Sequence, residues 1–135
     1  MGLALSDELG WTAQGLPTLE RKNKQADLEA LAALIRQHGV RLVIAGNPVR
    51  LSGAESAGSR AAAAFAEQLR RRTGLEVRLW DERLTTREAS RVLRSSGISI
   101  AKRARAVDRL AAVLLLESYL DRERAAQGLL ADQQP

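Results

Sequence analysis

The residues best suited to chemistry in this chain are Asp81, Glu82 and Asp108. The first two open the run Asp-Glu-Arg-Leu-Thr-Thr at 81–86, between a strand-like apolar and basic segment and a helix start. Asp108 lies in Lys-Arg-Ala-Arg-Ala-Val-Asp-Arg-Leu-Ala-Ala, at the head of the most apolar helical stretch. Separated carboxylates in basic surroundings suit phosphodiester cleavage, which needs a nucleophilic water, charge neutralisation on the phosphoryl oxygens and a stabilised leaving oxygen. Two metal ions roughly 3.5–4 Å apart can supply all three. Spacing alone leaves a structural alternative open: an acid in the first turns of a helix also complements the helix dipole, and Asp81 or Glu82 could be a solvated strand end.

Composition narrows the metal. With no cysteine and one histidine, His38, thiolate sites and multi-histidine zinc sites are excluded, and histidine catalysis is disfavoured. Any metal must be held by oxygen, which favours Mg²⁺ or Mn²⁺. The net charge of +5 is unevenly spread: residues 1–67 balance 7 basic against 7 acidic side chains, whereas residues 68–109 carry 12 basic and 5 acidic. That basic stretch also holds Glu82 and Asp108, so charge and candidate chemistry coincide on a surface that attracts phosphate backbones. No run of 18 apolar residues and no signal-peptide pattern occurs, so the chain is expected to be cytoplasmic, with no membrane partner.

The elements that must position these residues can be read from periodicity. Residues 1–6 and 11–19 read as strands joined by a turn at Ser-Asp-Glu-Leu-Gly. Leu28, Leu31, Ala32, Leu34 and Ile35, followed by Gly39, predict an amphipathic helix over 27–38 with a glycine cap. A buried-type strand follows at 40–45, ended by Gly46-Asn47-Pro48, and 51–56 reads as a loop. Ala62, Phe65, Ala66 and Leu69 place a second helix at 55–72, ending before Thr73-Gly74. A strand at 75–80, a short helix from Thr85 to about 94 with Glu88 completing a capping box, a linker at 95–99 and a long helix over 101–126 complete the order. One domain over 1–127 is expected, with 128–135 as a disordered tail. This alternation predicts an α/β fold with a mixed sheet flanked by helices. Both Gly46-Asn47-Pro48 and Asp81-Glu82-Arg83 then fall at carboxyl ends of parallel strands, where functional residues gather, and are expected to line one crevice.

These motifs resemble a family. Asp-Glu-Arg-Leu-Thr-Thr, Gly-Asn-Pro with Ser52-Gly53 beyond it, the Lys-Arg-x-Arg-x-Val-Asp-Arg-Leu-Ala-Ala-Val-Leu-Leu-Leu run and the opening Gly-Leu-Ala-Leu-Ser-Asp are similar to the YqgF/RuvX family, in order, from Met1 to about Asp121. The resemblance implies a ribonuclease H-like fold related to the Holliday junction resolvase RuvC. It further implies a nuclease that matures the 5′ end of precursor 16S rRNA in ribosome biogenesis. By motif, Glu82 and Asp108 correspond to the second and third metal-binding carboxylates. Family members carry one more strand, bearing Leu-Asp-x-Gly, ahead of the Gly-Leu-Ala-Leu-Ser-Asp segment. It would be the central strand, between the opening hairpin and the strand at 40–45, and would hold the first catalytic aspartate. Met1 is therefore not expected to be the natural start, and the 135 residues alone could be catalytically incomplete. Asp7 is expected to serve the turn rather than to replace that aspartate.

Lys102, Arg103 and Arg105 precede Asp108 by about one turn and are expected to bind nucleic-acid phosphates, because cations near a helix start are otherwise mildly unfavourable. Arg83 could pair with phosphate or with Asp81. Arg70, Arg71 and Arg72 close a helix, where positive charge is stabilising, and His38 fits the same role. Trp11, Trp80 and Tyr119 are too scattered for a base-stacking platform, and Trp80 is expected in the core. Three readings compete. The first is a metal-dependent nuclease acting on precursor rRNA as a monomer or homodimer. The second is a Holliday junction resolvase acting on branched DNA, which needs two sites related by a two-fold axis. The third is an RNA-binding module with an incomplete metal site.

Overall fold

A computed structural model describes residues 1–47, 57–81 and 100–132. Its elements are β1 (Leu3–Ser6), β2 (Ala13–Leu16), α1 (Lys24–His38), β3 (Leu42–Asn47), α2 (Ala57–Thr73), β4 (Glu76–Asp81) and α3 (Ile100–Asp132). The α/β class holds, and two compact units carry it: residues 1–18 with α3, and the segment from Leu19 through β4. Antiparallel and parallel pairing both occur, in two separate two-stranded sheets, β1 with β2 and β3 with β4. No described residue supplies the central strand expected to join them in one mixed sheet. The short helix at 85–94, the linker at 95–99 and the loop at 51–56 lie outside the described residues.

In the first unit, the β1–β2 hairpin is closed by Asp7. Its Oδ1 accepts from the Trp11 and Thr12 amides at 2.7 and 3.2 Å, while Asp7 N–H donates to Thr12 O at 3.2 Å. Gly10, at φ 70°, supplies the left-handed step. Because the turn captures both amides and Pro17 has no N–H, β2 is four residues long, shorter than the expected 11–19. Helix α3 packs across this hairpin, burying Leu115 and Tyr119, which lie four residues apart on one face. It is fastened near each end. Thr18 Oγ1 donates to Arg105 O at 3.4 Å, and Arg124 Nη1 donates to Gly10 O and Trp11 O at 3.1 and 3.0 Å, its guanidinium 5.5 Å from the Trp11 ring centroid. Asp121 also receives a hydrogen bond from Arg124. The helix continues beyond 126 and takes in 128–132, assigned above to a disordered tail. Extending an existing helix through Leu129, Leu130 and Ala131 is far easier than nucleating a new one.

In the second unit, α1 starts at Asn23, whose side chain accepts from Ala26 N–H at 2.9 Å. It ends in a Schellman motif: Gly39 at φ 62° donates to Arg36 O, and Val40 N–H returns to Ile35 O at 3.0 Å. With Val40 committed to the helix end, β3 starts at Leu42, two residues later than expected, and runs through Gly46 and Asn47. The core joins Leu28, Leu31 and Ala32 of α1 with Ala66 and Leu69 of α2. Asp27 is 2 % exposed and would be costly to bury alone. Arg21 Nε donates to it at 2.6 Å and Lys22 N–H at 3.1 Å, and together they hold its carboxyl below the ordinary aspartate range. Arg21 also lies over the Phe65 ring at 5.5 Å, and Arg72 reaches Glu29 at 3.6 Å, so two charged side chains bridge from one segment to the other.

Glu67 accepts from Arg70 at 2.6 and 2.9 Å and from Arg71 at 3.1 Å; the Arg70 hydrogen bonds chiefly hold its carboxyl down from near 4.5 to about 2. Hydrogen bonding from Arg78 lowers Glu76 in the same way. A carboxylate whose folded pKa is depressed contributes stability above its unfolded pKa and loses it as pH falls through the folded value. The thermal midpoint is therefore expected to fall as pH drops from about 4.5 to 2. Glu67→Gln should flatten part of that decline in a circular-dichroism melt series, and an unchanged slope would remove Glu67 from the account.

Candidate functional site

The parallel register places the strand-end candidates of the second unit. Pairing runs from Leu42↔Glu76 to Asn47↔Asp81, so the two strands end side by side at their carboxyl ends. Asn47 is thus the register partner of Asp81, the first residue of the Asp-Glu-Arg run; the rest of the expected crevice lies outside the described residues. Asn47 Oδ1 has less than 1 Å² of exposed surface and no hydrogen-bond partner. A buried acceptor left unmatched costs about 1–3 kcal/mol, and Gln68 Oε1 in α2 is in the same state. Asp81, its register partner, is exposed. Glu82 and Arg83 follow directly in sequence and lie outside the described residues.

Helix α3, in the first unit, carries the other candidates. Asp108 is the ninth residue of α3 and is exposed. That places it about two turns inside the helix, beyond the first turn in which an acid gains from the dipole. The first turn of α3 contains no acidic residue. The helix is seated unusually close to the hairpin here. A Cβ on Gly2 would collide with the backbone carbonyl of Asp108 and lie 3.0 Å from the Arg109 nitrogen. A Cβ on Gly15 would lie 2.8 and 2.9 Å from Arg109 Cγ and Cδ, and 3.5 Å from Val113 Cγ2. Glycine at both positions lets the turn bearing Asp108 lie almost on the strand backbone.

The predicted phosphate-binding residues are distributed along the same helix. Lys102 and Arg103 belong to the first turn of α3, and Arg105, exposed, follows within the second. Sequence reading passed over Arg109, whose position four residues after Arg105 puts the two on one helix face. The available signal was that spacing; its contact with Gly15 joins residues 94 apart and had no local trace. Asp7, as expected, serves the hairpin turn.

Whether a metal suits these residues can be judged from their donors. Asp81 at the end of β4 and Asp108 on α3 are each exposed carboxylates, the oxygen-donor type that a hard cation prefers. Among the described residues, no group of three or more His, Asp or Glu gathers into a metal-binding cluster.

The α/β elements are consistent with a ribonuclease H-like fold. A profile of the RuvX family, described as Holliday junction resolvase, matches residues 1–122, and the chain belongs to that family. It is similar to proteins named "Putative pre-16S rRNA nuclease" from Koribacter versatilis (54% identity, covering 90% of this chain and 80% of that protein), Halalkalibacterium halodurans (44%, 92% and 90%) and Moorella thermoacetica (46%, 90% and 87%). Family and relatives together mark it as a nuclease, a hydrolase acting on nucleic acid. No helix among the described residues is long and apolar enough to cross a membrane.

Proposed function

We propose that this protein is a metal-dependent nuclease that trims the 5′ end of precursor 16S rRNA in the cytoplasm during ribosome biogenesis. The observation that carries this reading is the similarity, across nine-tenths of the chain, to relatives whose name specifies pre-16S rRNA. Glu82 and Asp108 would hold Mg²⁺ or Mn²⁺, which supplies an activated water and charge neutralisation when bound. Lys102, Arg103 and Arg105 would grip the backbone on either side of the scissile bond, and Arg83 would support the same contact. Precursor rRNA incubated with the protein and Mg²⁺ is expected to be shortened at its 5′ end. Excess chelator should stop the reaction, and added Mg²⁺ or Mn²⁺ should restore it. Cleavage indifferent to chelator would sink the metal assignment, while binding without cleavage would favour an RNA-binding module.

The family's description favours a second reading, resolution of Holliday junctions. Symmetric incision of a junction requires two active sites related by a two-fold axis. A stable dimer on four-way DNA, with paired cuts, is its signature; a monomeric complex counts against it.

A further inference from the structure

We propose that Arg109 is a phosphate-binding residue of the nuclease site, held ready by the glycine at position 15. The proposal deepens the nuclease reading and rests on it.

Arg109 combines three observations. Its aliphatic stem lies against the backbone of β2, with Cγ and Cδ within 3 Å of where a Gly15 Cβ would stand. That contact fixes the first torsions of a side chain that otherwise loses much rotamer freedom on binding. The residue is nevertheless exposed, so the guanidinium is directed by its seat and remains available to solvent. Among the described residues it has no ion pair, in contrast to Arg21, Arg70, Arg71, Arg72, Arg78 and Arg124, each paired with a carboxylate.

Position supplies the rest. Arg109 follows Asp108 directly, so its α-carbon is about 3.8 Å from that of the proposed metal ligand. Arg105 lies one turn earlier on the same face, so the two cations can follow one stretch of phosphate backbone. A preordered guanidinium one residue on from Asp108 binds phosphate through a planar fork and loses less freedom in doing so than a mobile lysine. The ligand class is the phosphodiester backbone itself, in RNA or in branched DNA.

The test measures binding without cleavage, in chelator, by fluorescence anisotropy. Two probes are used: a labelled RNA spanning the 5′ boundary of 16S rRNA, and a labelled four-way DNA junction. For whichever probe the parent chain binds, Arg109→Gln is expected to weaken binding about 10-fold. It should also lower the slope of log affinity against log salt by about 0.7 on single strands or 0.9 on duplex arms, with an unchanged thermal midpoint. Arg109→Lys should keep the slope and recover only part of the affinity. Gly15→Ala should shift the Arg109 stem and weaken binding in the same direction, and adding it to Arg109→Gln should cost nothing further. A purely structural role would lower the midpoint and leave the slope alone. Unchanged affinity and slope in Arg109→Gln would overturn this assignment while leaving the nuclease reading in place. Failure of the parent chain to bind either probe would overturn both.

Discussion

Asp108→Asn is expected to reduce phosphodiester cleavage by more than about 100-fold, and Glu82→Gln to do the same, while RNA binding stays nearly intact. Asparagine keeps the shape and one oxygen of the carboxylate and removes its charge, the part a hard divalent cation needs. Mutating groups that only orient a metal ligand typically costs 10–100-fold, so loss of a ligand should cost at least as much. Stability should change little, because Asp108 is exposed and sits beyond the first turn of α3, where its charge does little for the helix. Binding should persist because it depends on the cations of residues 102–109 and on none of the carboxylates. Single-turnover cleavage of precursor rRNA at saturating Mg²⁺, paired with affinity measured in chelator, separates the two effects. Full activity in either variant would remove that residue from the metal site.

The second large effect is expected at Gly2. A methyl group there would meet the main-chain carbonyl of Asp108, and main chain inside a helix cannot rotate away as a side chain can. Gly2→Ala is expected to destabilise the hairpin–helix unit by about 1–3 kcal/mol, the usual range for an overpacked contact. The strain falls on the turn that carries Asp108, so the concentration of Mg²⁺ giving half-maximal cleavage should rise as the melting temperature falls. Gly15→Ala is the comparison, since it meets side-chain atoms of Arg109 and Val113, which can shift where a helix main chain cannot, and should cost less stability. Equal midpoints for Gly2→Ala and the parent would show that hairpin and helix can separate without penalty.

Much of this arrangement could be read before any coordinates, and the pattern of success is physical. Helices α1 and α2 follow from apolar residues at 3.6 spacing and from glycines just past their ends. Gly39 and Gly74 both adopt positive φ, where other residues are strained. The carboxyl ends of β3 and β4 were legible because Pro48 and the Asp81-Glu82 pair both interrupt apolar runs, and parallel pairing then set Asn47 beside Asp81. The length of β2 was not legible, because it depends on one Asp7 oxygen taking two amides. The pairing of strands into two separate sheets was hidden as well, since apolar alternation shows that a residue lies in a strand and says nothing of its neighbour. At the site, the roles proposed for Glu82 and Asp108 rest on the family resemblance. The glycine seat beneath Asp108 and Arg109 depends on distances between residues about a hundred positions apart, where no local spacing rule applies.

The two fastenings of α3 bear on how this unit opens. From Arg105, which accepts from Thr18, to Arg124, which holds Gly10 and Trp11, the helix spans about 28 Å. A helix tied at one point frays from its loose end, and its amides exchange with solvent in order of distance from the tie. A helix tied near both ends to the same hairpin has no loose end over that span. Its central amides can exchange only when hairpin and helix part together, so the span behaves as one cooperative block. Asp108 sits inside that block, and its backbone is therefore kept still by the same bonds that join the strands to the helix.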